Sequence, residues 1–291
     1  MARVLGSVST SHIPSIGNAI AKGLQHDPYW QPFFSAFAPV HRWLAQVKPD
    51  VVVVVYNDHG LNFFLDKLPT FAVGAAAEYR HADEGWGLPI APSFTGDADL
   101  SWHVINSLVA EELDIVTCQE MLVDHALTVP MSLLYPGGKP WPVKIIPIEI
   151  NTVQHPLPSP ARCFKLGQAI GRAIESYAAD LNVLILGTGG LSHQLDGKRA
   201  GFINKPFDLM CLEKIVADPE ALTHYSIHDL VELAGSQGVE LLNWIAMRGA
   251  LLGHVTQIHR NYHIPISNTA TGVLVLENHP AASLLDYRKA G

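Results

Sequence analysis

Cysteine is scarce in this chain, and charge is thin. Only three cysteines occur among 291 residues, Cys118, Cys163 and Cys211, widely spaced and with no C-x-x-C pair. Such a set implies neither a disulfide framework nor a thiolate zinc site, and a reducing cytoplasm is the expected setting. Charged residues make up 16% of the chain and the formal net charge is −8. A field of that sign, with no Lys/Arg block to reverse it locally, excludes nucleic acid as a general partner. Long apolar runs are also missing. The longest, Val51 to Tyr56, is far too short to cross a bilayer, so no membrane partner is expected. The opening residues, MARVLGSVSTSHIP, contain no apolar h-region, and no secretory signal is expected in them.

Familiar nucleotide and nucleophile signatures are absent as well. The chain has no G-x-x-x-x-G-K-[ST] loop and no G-x-S-x-G elbow. Gly187-Thr-Gly189 begins like a dinucleotide-binding turn, but Ser192 stands where its third glycine or alanine is needed. Ser192 beside His193 does not make a hydrolase pair, because sequence neighbours rarely face each other.

What is present is a large apolar fraction, 48% of residues, enough for a sizeable core. Asp50 to Tyr56 is a continuous β-branched run of the kind buried on both faces of a sheet. Lys144 to Ile150 and Val183 to Leu186 read as strands too, with Arg3 to Ser9 opening the chain and Val273 to Leu276 closing it. Helices are expected at Trp30 to Val47, Leu100 to Leu113, Ala161 to Ala179, Pro206 to Ala217 and Val239 to Leu251. Alternating strands and helices predict an α/β fold, a single-domain three-layer arrangement with a mixed central sheet flanked by helices. Neither Gly85 to Gly96 nor Pro136 to Pro142 is long enough for a linker. One domain over residues 1–291 is therefore expected, with a short tail at about 278–291.

In open α/β sheets, ligands bind beyond the carboxyl ends of the strands. His12 follows the opening strand, His59 ends the Val51 strand, and His193 follows the Val183 strand. Taken singly, a histidine at a strand end is more often a capping or solvent-facing residue than a ligand. If the strands are parallel, however, the three imidazoles meet at one edge, and a metal site is suggested. His125, in Val123-Asp-His-Ala126, is a fourth candidate, with Asp124 read as a local turn former. Glu240 stands near the start of a helix candidate, where acidic residues commonly complement the helix dipole.

Thr10-Ser-His-Ile-Pro14, Tyr56-Asn-Asp-His59, Val123-Asp-His-Ala-Leu-Thr-Val-Pro130, Gly187-Thr-Gly-Gly-Leu-Ser-His-Gln194 and Gly238-Val-Glu-Leu241 occur in that order. With Ala82-Asp-Glu-Gly-Trp-Gly87 and Tyr262-His-Ile-Pro-Ile-Ser-Asn-Thr-Ala270, this set resembles the class III extradiol dioxygenases, most closely the catalytic β subunits of the protocatechuate 4,5-dioxygenase type. The resemblance implies Fe²⁺ held by His12, His59 and Glu240, a facial triad that leaves coordination positions open. It implies His193 as the acid/base group, His125 as a second polar contact near O₂ or the substrate, and Ser267 and Asn268 beside the substrate carboxylate. It further implies extradiol cleavage of protocatechuate or a close catecholic acid by O₂, under a lid supplied by a small α subunit in an α₂β₂ assembly. Gallate or a methylgallate are the alternative substrates, and a non-enzymatic metal-binding scaffold is the alternative in kind.

Overall fold

The computed structural model describes residues 1–85, 87–137, 140–266 and 268–279. Ser267, and the expected tail from residue 280 onward, lie outside the described residues. The elements, in order, begin with β1 (Arg3–Thr10), α1 (Pro14–Ala21), α2 (Gln31–Ser35), α3 (Ala38–Val47), β2 (Val51–Tyr56), β3 (Phe71–Gly74) and β4 (Glu78–His81). Next come β5 (Phe94–Thr95), α4 (Ala98–Ala110), β6 (Val116–Cys118), β7 (Leu122–Val123), α5 (His125–Leu134) and β8 (Lys144–Ile150). The remainder comprises α6 (Pro160–Ser176), β9 (Asn182–Thr188), α7 (Lys205–Ala217), α8 (Ile227–Ala234), α9 (Leu241–Gly249), β10 (His254–Ile266) and β11 (Thr269–His279).

Eight strands form one sheet in the order β10-β11-β1-β9-β2-β8-β3-β6. Its centre, β1-β9-β2-β8, is parallel, while β11 joins β1 and β3 joins β8 antiparallel, so the sheet is mixed as expected. The all-valine run of β2 explains why it lies in the middle. Val51, Val53 and Val55 point into one core, and Val52, Val54 and Tyr56 into the other. Burying both faces suits a β-branched strand that has helices above and below it. The first core is filled from α4, α6, α7 and α9 by residues such as Val104, Ile170, Leu212 and Trp244. The second is filled from α1, α2, α3 and α5 by Ile16, Phe33, Leu44 and Leu127. Three layers result.

The helix expected over Trp30 to Val47 is in fact two, α2 and α3, broken at Ala36 and Phe37. Pro39 is the cause: it has no N–H to give to the carbonyl four residues back, so it is accepted only in the first turn of a new helix. The closing strand extends well beyond Val273 to Leu276, and it pairs with the long edge strand β10. Among the described residues, no helix is long and apolar enough to cross a membrane.

Candidate active site

Because β1, β2 and β9 run parallel, the loops leaving their carboxyl ends emerge together. His12, His59 and His193 ride on those loops. Glu240 arrives from the opposite direction, at the end of the 3-10 turn Gly238–Glu240 that leads into α9. Its Oε1 lies 3.3 Å from His12 Nε2 and 3.8 Å from His59 Nε2, and its Oε2 lies 3.7 Å from His193 Nε2. Glu240 therefore faces three imidazoles rather than its own helix start. His125, the first residue of α5, brings a fourth ring 4.2 Å from that of His59 and 5.5 Å from that of His12, centroid to centroid.

Each of the four rings is tethered through Nδ1. His12 meets Thr188 Oγ1 at 3.1 Å, His59 meets Asp124 Oδ2 at 2.9 Å, His125 meets Glu84 Oε1 at 2.7 Å, and His193 meets the Leu191 carbonyl at 2.9 Å. A ring whose Nδ1 is engaged outward offers Nε2 inward; the carboxylates and the carbonyl only accept and so fix tautomer as well as orientation, while the Thr188 hydroxyl fixes the orientation of His12. His12, His125, His193 and Glu240 are buried. The His59 side chain is 27% exposed, which makes it the open side of the cluster.

Asp124 does more than form a turn. One oxygen caps α5 by accepting from the Ala126 amide, while the other takes both the backbone amide and Nδ1 of His59. The neighbouring Asp58 accepts from the amides of residues 60, 61, 62 and 63, which stiffens the loop that presents His59. The loop after β9 is kept close by glycine. A Cβ on Gly189 would stand 2.8 Å from the Glu240 Cβ, and one on Gly190 2.6 Å from the His193 ring. The Gly190 amide also donates to Glu240 Oε2 at 2.7 Å, which ties the carboxylate to the His193 loop.

The electrostatics follow from this wiring. Burial alone would raise the Glu240 carboxyl, but the charges of His12 and His193 and hydrogen bonds from His12 and His59 hold it well below its usual value. Burial opposes the His59 imidazolium, yet hydrogen bonds to Asp124 and Glu240 outweigh it and push the group up to about 10. A metal ion entering here displaces a proton from that ring. For His125 burial wins and the pKa is lowered, despite the hydrogen bond it donates to Glu84.

The donor set fits a divalent first-row metal. Two imidazole nitrogens facing one buried carboxylate oxygen, at 3.3 and 3.8 Å, are donors that would hold such an ion. His12, His59 and His125 also offer ring nitrogens within 4.8 Å of one another, as do Glu84, Asp124 and His125 with their ligand atoms. In the second group both carboxylates already serve as tethers, so it is the outer support of the site.

Asn268 is exposed, in the turn between β10 and β11. The next residue, Thr269, forms a bridge with His193, so this turn lies against the loop of the proposed base. The residues missed in the sequence are the tethers, Glu84 and Thr188, together with the part of Asp124 in holding the His59 ring. Glu84 belongs to one of the stretches that carried the resemblance, but nothing in its spacing joins it to His125, 41 positions later.

The family model described as the catalytic LigB subunit of aromatic ring-opening dioxygenase matches residues 6–272. A gallate dioxygenase from Pseudomonas putida is 42% identical over 201 residues, covering 69% of this chain and 59% of the relative. A 2,3-dihydroxyphenylpropionate/2,3-dihydroxicinnamic acid 1,2-dioxygenase from Rhodococcus sp is 35% identical over 159 residues, covering 55% of this chain and 48% of the relative. The chain thus spans roughly half to three fifths of the length of these curated relatives. The solved structure of an uncharacterized protein from Escherichia coli K12 shares the fold, with a TM-score of 0.55 at 13% identity over 94% of this chain and 100% of that one.

Proposed function

Because the chain belongs to the family of catalytic LigB subunits of aromatic ring-opening dioxygenases, we propose that it cleaves the ring of a catecholic benzoate beside its diol, with both atoms of O₂ entering the product. In this reading Fe²⁺ is held by His12, His59 and Glu240 in a single catalytic domain. The observation that supports it best is the convergence of imidazole nitrogens on one buried carboxylate, each ring anchored from behind.

Bound in this place, Fe²⁺ supplies an open-sided centre at which an aromatic diol and O₂ are brought into contact. The chain's own residues supply proton handling and position. His193 gives its Nδ1 hydrogen to the Leu191 carbonyl, which leaves the Nε2 lone pair to take a proton from a substrate hydroxyl and later return it. A positioned group of this kind contributes about 10²–10⁴-fold in rate. His125 offers a second inward nitrogen from the start of α5. Ser267 and Asn268 are the proposed partners of the substrate carboxylate, Asn268 standing in the turn before β11, beside the His193 loop. The electrons that reduce O₂ come from the ring, so no external donor is required.

Gallate is the first substrate to test, since the 42%-identical relative acts on it. Protocatechuate, the acid expected from the sequence resemblance, is the second. A small α subunit that excludes water from the site completes the proposal, in an α₂β₂ assembly in a reducing cytoplasm. The test is anaerobic loading with Fe²⁺, followed by aerobic addition of gallate, protocatechuate, a methylgallate and 2,3-dihydroxyphenylpropionate, with O₂ uptake and product absorbance recorded. The expected result is uptake of one O₂ per ring opened, with the highest kcat/KM for a hydroxybenzoate. Metal binding without O₂ uptake for any of the acids, even after co-expression with a small partner, would favour the non-enzymatic scaffold. Metal content separates the two geometrically available donor sets: Glu240→Ala loses iron, and His125→Ala keeps it.

A further inference from the structure

Glu84 follows β4, at the edge of the small sheet β5-β4-β7, and its side chain is 9% exposed. Both oxygens are spent on one residue. Oε2 accepts from the backbone amide of His125 at 2.7 Å, and Oε1 accepts from His125 Nδ1 at 2.7 Å. The amide is one of the unpaired donors at the start of α5, where a carboxylate is favoured by the helix dipole. The same anion therefore seats the helix start and the side chain projecting from it.

A third group closes the arrangement. The Ala91 amide donates to His81 Nδ1 at 2.8 Å, so that nitrogen carries a lone pair and the ring hydrogen sits on Nε2. His81 Nε2 in turn faces Glu84 Oε2 at 3.9 Å and Thr128 Oγ1 at 3.4 Å. In both hydrogen bonds of Glu84 its oxygens are the acceptors. Burial would raise this carboxyl, but the hydrogen bonds from His125 and the more distant His81 ring bring it down to about 2. An ionised Glu84 accepts only, which obliges His125 to carry its hydrogen on Nδ1.

We infer that Glu84 is the positioning residue for His125, holding its ring in the tautomer whose Nε2 lone pair faces the space beside His12 and His59. In that state His125 receives a hydrogen bond from a substrate hydroxyl and cannot donate one. Its part in ring opening rests on the function proposed above. The tautomer does not, and it is measured separately.

The experiment compares the full chain with Glu84→Gln and Glu84→Asp. Gln keeps the volume but turns an NH₂ toward one of two N–H donors, so the clamp opens. In the ion-free protein, ¹⁵N NMR of the histidine rings is expected to show His125 as a single Nδ1–H tautomer, its resonances identified by their loss in His125→Asn. In E84Q the two tautomers should interconvert, while E84D should retain the wild-type pattern. In the iron-loaded enzyme, E84Q is expected to lose about 10–100-fold in kcat, the usual range for an outer-shell partner, with KM and iron content little changed. E84D should recover a substantial part of that loss.

Wild-type His125 with its hydrogen on Nε2 overturns the inference, and this measurement stands even if E84Q does not fold. So does an E84Q protein with unchanged tautomer and unchanged kcat, or one that has lost its iron. Should the wild-type iron-loaded chain open no ring, the proposed function fails, and the NMR result alone decides on Glu84.

Discussion

The four histidines divide into two flanks that are tethered by different chemistry. On the β2–α5 side, His59 and His125 each lean on a carboxylate, Asp124 and Glu84. On the β1–β9 side, His12 and His193 lean on neutral oxygens, the Thr188 hydroxyl and the Leu191 carbonyl. A charge-assisted hydrogen bond is roughly twice as strong as a neutral one. A carboxylate behind an imidazole also makes the ring a better electron donor. The difference follows the chain and not the proposed roles: both rings of the β2–α5 flank are backed by charge, whereas the proposed ligand His12 and the proposed base His193 share a neutral backing. The proposed base, His193, is backed only by the Leu191 carbonyl.

The largest expected effect removes the centre that both flanks share. His12→Ala or Glu240→Ala should abolish iron binding and turnover together, as read by metal content and O₂ uptake. If His12→Ala retained stoichiometric iron, the ligand set would be wrong. Next comes His193→Ala, expected to lose about 10²–10⁴-fold in kcat while keeping iron and binding the diol. A metal-free His193→Ala protein would make that ring a ligand rather than the base. Asp124→Asn tests the charged tether: Fe²⁺ affinity should weaken by about 10–100-fold in a competition titration. Thr188→Val tests the neutral one and should weaken affinity by about tenfold or less, since a neutral hydrogen bond contributes only about 0.5–1.5 kcal/mol. Equal losses in the two variants would show that charge at the tether has no special role.

Sequence and structure part company along the same division. The parallel centre of the sheet was legible because β2, β8 and β9 are apolar nearly throughout, a pattern that only burial on both faces produces. Parallel pairing then carried His12, His59 and His193 to one edge with no further information. The α5 side was not legible. No helix was expected there: Pro130 lies inside it, and Asp124, which caps it, reads as a local turn former. The edge strand β10 was hidden by its largely polar stretch from Gln257 to Asn261, in which Ile258 is the one apolar residue. Glu240 lacks local signal altogether. It sits at a helix start, as acidic residues commonly do, and only tertiary packing turns it toward the histidines. Tethers are harder still, because each pairs residues that no periodicity connects, such as Glu84 with His125.

Gly189 and Gly190 carry a consequence for anyone seeking to retune this site. The space a methyl group would need at either position is already taken, by the Glu240 side chain in one case and the His193 ring in the other. Mutational libraries aimed at this loop should therefore return almost only the parental pair, however strong the selection. Altered preference among aromatic acids is better sought at Asn268, which is exposed whereas Gly189 and Gly190 are buried.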